Sequence, residues 1–374
     1  MSIIMAEWKL LPEETAEQNW DNHLIKFDDC SPYQTYNWGQ YQKALGWQPY
    51  YFVAEDEKGK VCAMLLGLLR RYPLGTGLMW CTGGPLGDYK NWGEKLPETI
   101  LKIVNLKRLY LRFRCDRERK PETILFLDYQ NWSRSVFTIT SNVSMEIDLS
   151  VDENLLLSKL SRNWRRNLKA AAADNFTIKL CPNPNIEELS RVYAEMQARK
   201  NLPEQFSGEK LENLFKYSGS NLIFYRCENS SGNLLCFRGC LRIGNRACDY
   251  LAATTKLGIE QRASYPTLWQ LLKHCREQGV DYYDLGGIDP WENPGVYKFK
   301  KETGARQIEY LGEWDWANKS WLRLFGNWAI WKKQKIRKVE SRFVSKHSAF
   351  NRPAKISESL LEPELKNAQM SERF

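Results

Sequence analysis

The stretch FVAEDEKGKVCAMLLGLLR, residues 52–70, has a counterpart in FYRCENSSGNLLCFRGCLRI, residues 224–243. Each begins with a β-rich run, continues with a polar six-residue segment that has glycine fifth (Gly59 and Gly232), and ends in a second apolar run. Two strand-like runs joined by a short polar segment with glycine are typical of a β-hairpin. The sequence therefore predicts two hairpins about 170 residues apart, a domain-sized spacing.

The same series of elements follows each hairpin: an apolar stretch, a helical pattern and a strand-like run. The three stretches are LMWCTGGPL, EKLPETILKIVNLK and RLYLRFRC in the first half, and ACDYLAATT, YPTLWQLLKHCREQG and DYYDLGG in the second. In the second helical pattern Leu268, Leu271, Leu272 and Cys275 fall on one face. Two copies of hairpin–strand–helix–strand predict a mixed α/β (α+β) fold with two similar domains in tandem.

Composition narrows the class of protein. Of the 374 residues, 43% are hydrophobic and 26% are charged, the balance of a soluble globular protein. No run approaches 18 consecutive apolar residues, and the first residues, MSIIMAEWKLLPEE, lack the pattern of a secretory signal. The ten cysteines are scattered, and Cys236 and Cys240 have no histidine nearby. We expect a cytoplasmic protein with reduced thiols, no transmembrane helix and no metal site.

Most of the net charge lies in one segment near the end of the chain. Of a net charge of +9, residues 317–346 carry +8, from nine Lys or Arg against one Glu. Large apolar residues recur there at helical spacing: Trp321, Leu324, Phe325, Trp328 and Trp331. Tryptophan and cations on one helix suit an anionic membrane surface, so we predict peripheral membrane contact through a basic helix at 321–346. The alternative is that the tryptophans pack on the first domain and the cations are only solvated.

A second cationic cluster separates the two halves. In LSRNWRRNLKAA, residues 160–171, four cations lie at helical spacing: Arg162, Arg165, Arg166 and Lys169. They form either a surface that contacts the phosphates of a nucleic acid or a solvated helix face, and composition does not decide between the two.

The stretch YYDLGGIDPWENPGVYKFKKETGA, residues 282–305, carries the main chemical signal. A probable core strand ends at Gly286 and Gly287, and a cluster of lysines lies beyond a proline-punctuated loop. Glycines at a strand end let a ligand approach the backbone closely. A lysine just beyond them can face a reacting carbonyl and stabilise the oxyanion of acyl transfer.

The order of these elements resembles the FemABX family of aminoacyl-tRNA-dependent aminoacyl ligases over about residues 30–316. The resemblance rests on YQTYNWGQYQKALGW, GGPLGDY, LSRNWRRNLKAA and, above all, YYDLGGI followed by VYKFKK and EYLGEWD. It implies two domains of the N-acetyltransferase (GNAT) fold. It also implies transfer of an amino acid from aminoacyl-tRNA, as co-substrate, to the stem peptide of a peptidoglycan precursor. Neither a metal nor another cofactor is implied, and no covalent enzyme intermediate.

The resemblance also assigns individual residues. Lys300 matches the family lysine that stabilises the tetrahedral intermediate, and Phe299 matches the adjacent aromatic that packs against donor or acceptor. Asp88 matches an acceptor-site carboxylate and Lys43 a lysine on the acceptor's phosphates. Tyr250 lies next to the position of an acceptor-site tyrosine. From the residues alone, KFKK could instead be an exposed basic turn and Asp88 a turn residue.

The chain departs from the best-characterised branch of the family at three positions. The Arg and Tyr that contact the nucleotide pyrophosphate there correspond here to Phe206 and Lys210, and the acceptor-site tyrosine corresponds to Leu251. These departures favour a lipid-linked peptidoglycan precursor, or a different acceptor amine, over a UDP-linked precursor.

The predicted domains follow from the same alignment of elements. We predict a first GNAT-like domain at 1–150, completed by 307–320, and a second at 151–306. The basic helix at 321–346 and a disordered tail at 347–374 complete the chain.

Two other functions stay open from the sequence. An acyl-CoA-dependent GNAT N-acyltransferase of envelope or exopolysaccharide synthesis would need a glycine-rich pyrophosphate loop. RYPLGTG comes near to that loop, but Arg71 is one residue too far from Gly75. A catalytically idle scaffold of an envelope-synthesis complex is the other alternative, and the retained Lys300 and glycine pair argue against it.

Overall fold

The computed structural model describes residues 6–171, 175–200, 206–332 and 335. The strands in them are β1 (Glu7–Leu11), β2 (Gln48–Glu55), β3 (Val61–Tyr72), β4 (Thr76–Thr82), β5 (Leu86–Gly87), β6 (Arg108–Glu118), β7 (Ser133–Arg134), β8 (Val143–Asp148), β9 (Thr177–Leu180), β10 (Leu222–Glu228), β11 (Leu234–Ile243), β12 (Arg246–Thr254), β13 (Tyr282–Gly287) and β14 (Arg306–Ala317). The helices are α1 (Glu13–Leu24), α2 (Tyr36–Ala44), α3 (Lys95–Val104), α4 (Pro121–Tyr129), α5 (Glu153–Lys159), α6 (Arg162–Ala171), α7 (Ile186–Lys200), α8 (Gly208–Ser218), α9 (Lys256–Glu260), α10 (Ser264–Glu277), α11 (Pro294–Lys301) and α12 (320–332).

The strands form one continuous sheet with a repeated order. From edge to edge the order is β1-β2-β3-β4-β6-β14-β8-β13-β12-β11-β10-β9, while β5 pairs with β3 and β7 with β14. In each half a hairpin is followed by a third antiparallel strand, which then pairs in parallel with a fourth strand beyond a helix. The predicted duplication is confirmed, and the fold is two GNAT-like halves joined edge to edge.

The two hairpin turns have the same hydrogen bonds. In the first, Asp56 N donates to Lys60 O at 3.0 Å, and in the second Asn229 N donates to Asn233 O at 3.0 Å. Gly59 and Gly232 take φ +73° and +78°, the left-handed region that favours glycine. The glycine that the sequence places fifth in each polar segment is therefore required by the turn.

Strand β14 lies between the halves and pairs with both. Residues Arg306 to Glu309 pair with β8, and Tyr310 to Ala317 pair with β6. Strand β8 itself pairs with β13 of the second half, although it precedes the boundary predicted at residue 150. The domain limits stay predictions, and the tail predicted at 347–374 lies outside the described residues.

A buried ion-pair cluster anchors β14 to the first half. Arg112 is 1% exposed and lies 2.8 Å from Glu313 and 3.3 Å from Asp315. Asp315 also accepts hydrogen bonds from Ser135 Oγ at 2.8 Å and from Asn327 Nδ2 of α12 at 2.9 Å. The cluster therefore holds α12 against the first half.

Helix α12 leaves most of its large apolar residues in solvent. Leu322 is buried, and Gly326 lies so close to Tyr110 that an added Cβ would be 2.6 Å from the ring. Five large apolar side chains are between 38% and 69% exposed, in rising order Trp331, Trp328, Trp321, Phe325 and Leu324. These tryptophans are therefore only partly covered, and Trp321 lies 5.9 Å from the guanidinium of Arg108 in the first half, so membrane contact and packing on the first domain both stay predictions. No helix in the described part of the chain is long and apolar enough to span a membrane.

Candidate functional site

Strands β12 and β13 run parallel and then part. Their three paired positions end at Cys248 and Asp284. Beyond these, β12 continues to Thr254 while β13 ends at Gly287. Gly286 takes φ +80°, a conformation that other residues rarely adopt. An opening between neighbouring strands therefore lies beside the glycine pair.

The lysine-rich stretch beyond the glycines forms helix α11. Pro294 occupies its first turn, where a missing N–H is tolerated, and Gly304 follows its end with φ +78°. Of the three lysines in this helix, Lys298 and Lys301 are exposed, whereas Lys300 is 7% exposed. The helix therefore turns Lys300 inward, and Lys300 is not part of an exposed basic turn.

The ammonium of Lys300 is held by the glycine pair. Nζ donates to the carbonyl oxygens of Gly286 at 3.0 Å and Gly287 at 2.9 Å. An ammonium has three N–H donors, so one is left for a reacting oxygen. Burial lowers the pKa of Lys300, and the carboxylates of Asp249 and Asp284 act against this shift.

Phe299 is packed inside the second half. Its ring centroid lies 5.9 Å from that of Trp164 on α6 and 5.1 Å from that of Tyr265 on α10. The guanidinium of Arg238 lies 5.7 Å from the Phe299 ring, within range of a cation–π contact. Phe299 therefore joins α6, α10 and α11 next to Lys300, and its proposed contact with a substrate stays a prediction.

A buried charge network stands behind Lys300. Arg238 binds Asp249 through two hydrogen bonds, Nε to Oδ1 at 2.8 Å and Nη2 to Oδ2 at 2.5 Å. Tyr283 donates its hydroxyl to the same carboxylate at 3.0 Å. Arg238 therefore partly balances the charge of Asp249, while Asp249 and Asp284 both favour the protonated form of Lys300.

The side chain of Asp284 lies on the face of β13 opposite to that of Tyr283, and it accepts three hydrogen bonds. Gly286 N donates to Oδ1 at 2.7 Å, Tyr310 donates its hydroxyl to Oδ2 at 2.9 Å, and Ser144 Oγ donates to Oδ1. Asp284 also lines the large cleft of the molecule. It is therefore a direct link between the cleft and the glycines that hold Lys300.

The cleft has a volume of about 1130 Å³ and lies between the two halves. Its lining residues come from both halves, for example Asp88 and Asp116 from the first and Asp284 from the second. Ten carboxylate side chains line it against six Lys or Arg. Such an excess of negative charge favours a substrate that carries an amine over one rich in phosphate.

Two carboxylates in the cleft differ in their setting. Asp88 caps a short 3₁₀ turn by accepting from Lys90 N at 3.1 Å, so it is a turn residue and also faces the cleft. Asp116 is paired with Arg114 at 2.5 Å and accepts from Ser31 Oγ at 3.1 Å. Burial raises the pKa of Asp116, and Arg114 opposes this shift.

Lys43 lies outside the residues that line the cleft. On α2 it forms an ion pair of 2.7 Å with Glu13, and both side chains are about half exposed. The predicted contact of Lys43 with acceptor phosphates therefore stays a prediction.

Tyr250 belongs to an aromatic cluster at the contact of the two halves. Its ring lies edge-on to Trp38 at 5.6 Å and to Phe206 at 5.7 Å. Phe206 is buried and also contacts Tyr193 at 5.2 Å. Burial raises the pKa of Tyr250. Apolar rings therefore occupy the place where Phe206 replaces the family arginine.

The four cations of α6 are exposed and lie next to the Lys300 helix. Trp164 of α6 contacts Phe299, and Asn163 Nδ2 donates to Glu302 at 2.8 Å, just past the end of α11. The exposed members are Arg162, Arg165, Arg166 and Lys169. Their contact with a nucleic acid stays a prediction.

Sequence reasoning missed Arg238, Asp249 and Asp284. The available signal was a charged residue inside an otherwise apolar strand, where aspartate in particular is disfavoured. Such residues need a partner of opposite charge or several hydrogen bonds. The partners depend on strand register, which the sequence pattern did not give.

Comparison with known proteins agrees with this geometry. The profile of the FemAB family matches residues 256–323, which contain α11 and the glycine pair. The chain is 23% identical over 315 residues to the UDP-N-acetylmuramoylpentapeptide-lysine N(6)-alanyltransferase of Weissella viridescens, across 76% of this chain and 90% of that protein.

Two solved structures have a similar fold. The crystal structure of FemX superposes with a TM-score of 0.74 at 15% identity and covers 86% of this chain and all of that one. The C-terminal domain of a protein assigned as a lysylphosphatidylglycerol synthetase from Agrobacterium fabrum gives a TM-score of 0.51 at 14% identity, over 84% and 95% of the two chains. The family match over the Lys300 site, together with these similarities, relates the chain to the FemAB family and indicates a transferase.

Proposed function

We propose that this protein transfers an aminoacyl group from aminoacyl-tRNA to an amine of a peptidoglycan precursor. The observation that carries the proposal is the position of Lys300, whose ammonium is fixed at the opening between β12 and β13 with one donor left. The similarity to the Weissella viridescens protein, an alanyltransferase that acts on a lysine N(6), supports the reaction class.

The reaction is aminolysis of an ester. The acceptor nitrogen attacks the ester carbonyl, a C–N bond forms, and the carbonyl oxygen becomes an oxyanion that the free N–H of Lys300 stabilises. The C–O bond to the tRNA ribose then breaks, and the proton lost by the amine is taken up by the leaving hydroxyl. We propose that neither a metal nor another cofactor nor a covalent enzyme intermediate takes part.

The basic surface of α6 supports tRNA as the donor. Arg162, Arg165, Arg166 and Lys169 are exposed, and α6 contacts α11 through Trp164 and Asn163. Phosphates bound on α6 would bring the charged end of a tRNA towards the opening at Lys300.

The acceptor is proposed to be lipid-linked. Phe206 is buried among aromatic rings where a cation would be needed to bind a nucleotide pyrophosphate. The acidic lining of the cleft suits the amine of the stem peptide, which both precursors carry.

Helix α12 supports peripheral contact with the inner face of an anionic membrane, on the cytoplasmic side. Its exposed Trp321, Phe325 and Trp328 form an apolar surface, and three cations lie over its indoles: Arg108 over Trp321, Lys332 over Trp328 and Lys335 over Trp331. Indoles and cations in this arrangement match the headgroup region of a bilayer. Residues 336–346 of the predicted helix lie outside the described part of the chain.

An acyl-CoA-dependent N-acyltransferase is the second candidate, because an opening between parallel strands also suits an acyl-CoA. One experiment distinguishes the two possible donors and, at the same time, the two possible acceptors. Purified protein is incubated with a panel of aminoacyl-tRNAs or with acetyl-CoA, each with a UDP-linked or a lipid-linked muramoyl pentapeptide, and products are identified by mass spectrometry.

We expect transfer from one or more aminoacyl-tRNAs, faster onto the lipid-linked acceptor, and little activity for Lys300→Met. Turnover with acetyl-CoA and none with any aminoacyl-tRNA would replace the proposal by the second candidate. Faster transfer onto the UDP-linked acceptor would overturn only the lipid-linked assignment.

A further inference from the structure

Asp284 is hydrogen-bonded to Gly286, one of the two glycines that hold Lys300. Its Oδ1 accepts from Gly286 N at 2.7 Å, while Gly286 O accepts from Lys300 Nζ at 3.0 Å. Both backbone polar groups of Gly286 are therefore fixed by side chains. Because φ and ψ of a residue set the relative direction of its N–H and C=O, these two bonds hold Gly286 at φ +80°.

The carboxylate of Asp284 is itself fixed from two other strands. Tyr310 of β14 donates to Oδ2 at 2.9 Å, and Ser144 of β8 donates to Oδ1. Tyr310 is 3% exposed, and its ring lies 5.7 Å from the guanidinium of Arg114, which is paired with Asp116 in the cleft. A continuous chain of contacts thus runs from the cleft through Asp284 to the glycine pair.

We propose that Asp284 is a positioning residue that sets the Gly286 and Gly287 carbonyls, and through them Lys300, relative to a substrate in the cleft. The inference rests on the proposed function and goes further, because it assigns a role to a side chain that touches neither donor nor reacting atoms. Loss of Asp284 frees Gly286, a residue with a very broad conformational range, and Lys300 then loses its fixed direction. Misplacement of a catalytic group by about 1 Å can cost about 100-fold in rate.

A double-mutant cycle tests whether Asp284 acts through Lys300. Single-turnover rates are measured for Asp284→Ala, Lys300→Met and the double variant with a saturating acceptor. We expect the single-turnover rate of Asp284→Ala to be about 10- to 100-fold lower than that of the unaltered protein. We expect the double variant to be within about threefold of Lys300→Met, because a lysine that is absent cannot be misplaced. Losses that multiply in the double variant would overturn the proposal.

Conservative variants separate positioning from loss of fold. Asp284→Asn keeps an oxygen that can accept from Gly286 N, so it should retain most of the transfer rate. Tyr310→Phe removes one hydrogen bond to Asp284, so its rate should lie between the rates of Asp284→Asn and Asp284→Ala. Asp148→Ala is the matched control, since this carboxylate lies on β8 and is exposed. Equal rates for Asp284→Asn and Asp284→Ala, with both folded, would contradict the role.

Hydrogen–deuterium exchange gives a readout that does not depend on activity. In Asp284→Ala the peptide that covers residues 282–288 should exchange faster than in the unaltered protein or in Asp148→Ala. Unchanged exchange would overturn the proposal even if transfer is observed. If the unaltered protein acylates no amine, the proposed function fails. Faster exchange in Asp284→Ala would still show that Asp284 fixes the conformation of Gly286.

Discussion

Lys300 and Gly286 are fourteen residues apart in the chain, and the ammonium of the first lies 3.0 Å from the carbonyl oxygen of the second. This contact joins the last turn of α11 to the end of β13. It converts one of three neighbouring lysines into a fixed, buried cation at the opening between two strands. The catalytic proposal depends on that difference between Lys300 and its neighbours.

Replacement of Lys300 should therefore remove most of the chemistry. We expect Lys300→Met to lower the single-turnover rate about 10²- to 10³-fold, because a fixed oxyanion donor is lost. Lys298→Met and Lys301→Met, at exposed positions of the same helix, should stay within about threefold. A Lys300→Met rate within threefold of the unaltered protein, with the fold intact by circular dichroism, would remove Lys300 from the mechanism.

The pH dependence of transfer should show the buried ammonium. Lys300 acts in its protonated form, and burial lowers its pKa below the ordinary 10.5, so kcat/KM should fall as pH rises through this lowered value. The measurement is initial rate against pH, corrected for spontaneous ester hydrolysis. Lys298→Met should show the same decrease of kcat/KM at high pH as the unaltered protein. If kcat/KM of Lys300→Met falls over the same pH range, the decrease is due to the titration of another group.

Reversal of the α6 cations should weaken tRNA binding in a salt-dependent way. For Arg165→Glu with Arg166→Glu we expect a lower affinity at low salt and a shallower dependence of log K on log salt, by about 0.7 to 0.9 for each lost phosphate contact. The control reverses Lys95 and Lys102, exposed cations on α3 of the first half. Filter binding or anisotropy measures both, and equal curves for the two variants would exclude α6 as the tRNA surface.

The apolar face of α12 should bind anionic vesicles. The intact protein is expected to sediment with phosphatidylglycerol-containing vesicles at low salt and to be released at high salt. Trp321→Ser, Phe325→Ser and Trp328→Ser combined should abolish sedimentation.

A control for this experiment is available on α4. Leu125→Ser with Tyr129→Ser removes side chains that are 69% and 83% exposed without touching α12. If the two combined variants sediment equally, the membrane contact through α12 is refuted.

Arg112 should matter for stability far more than an exposed arginine. Arg112→Ala leaves Glu313 and Asp315 buried without their partner, and we expect a loss of about 3–5 kcal/mol in the free energy of unfolding. Arg119, which pairs with Glu309 at a more exposed position, should cost about 1 kcal/mol or less on replacement. Urea denaturation followed by circular dichroism measures both, and similar losses would contradict the anchoring role of the Arg112 cluster.

Local sequence patterns are enough to predict the repeated framework. Hydrophobic periodicity and the two glycine-containing turns are local properties, so the hairpins, the helices at α3 and α10, and the strand that ends at Gly287 could be predicted from neighbouring residues. The same local pattern drew attention to Lys300, since a lysine cluster beyond a glycine pair is visible in one dimension.

Which charged residues meet depends on the three-dimensional packing of the chain. The pairing of Arg238 with Asp249, the link from Tyr310 to Asp284, and the burial of Lys300 depend on strand register and on the angle at which α11 returns to the sheet. Register is set by packing across the whole molecule, and a shift of one residue would turn Asp284 away from the cleft. The sequence therefore names the chemical groups, while the packing of the two halves fixes which of them form a site.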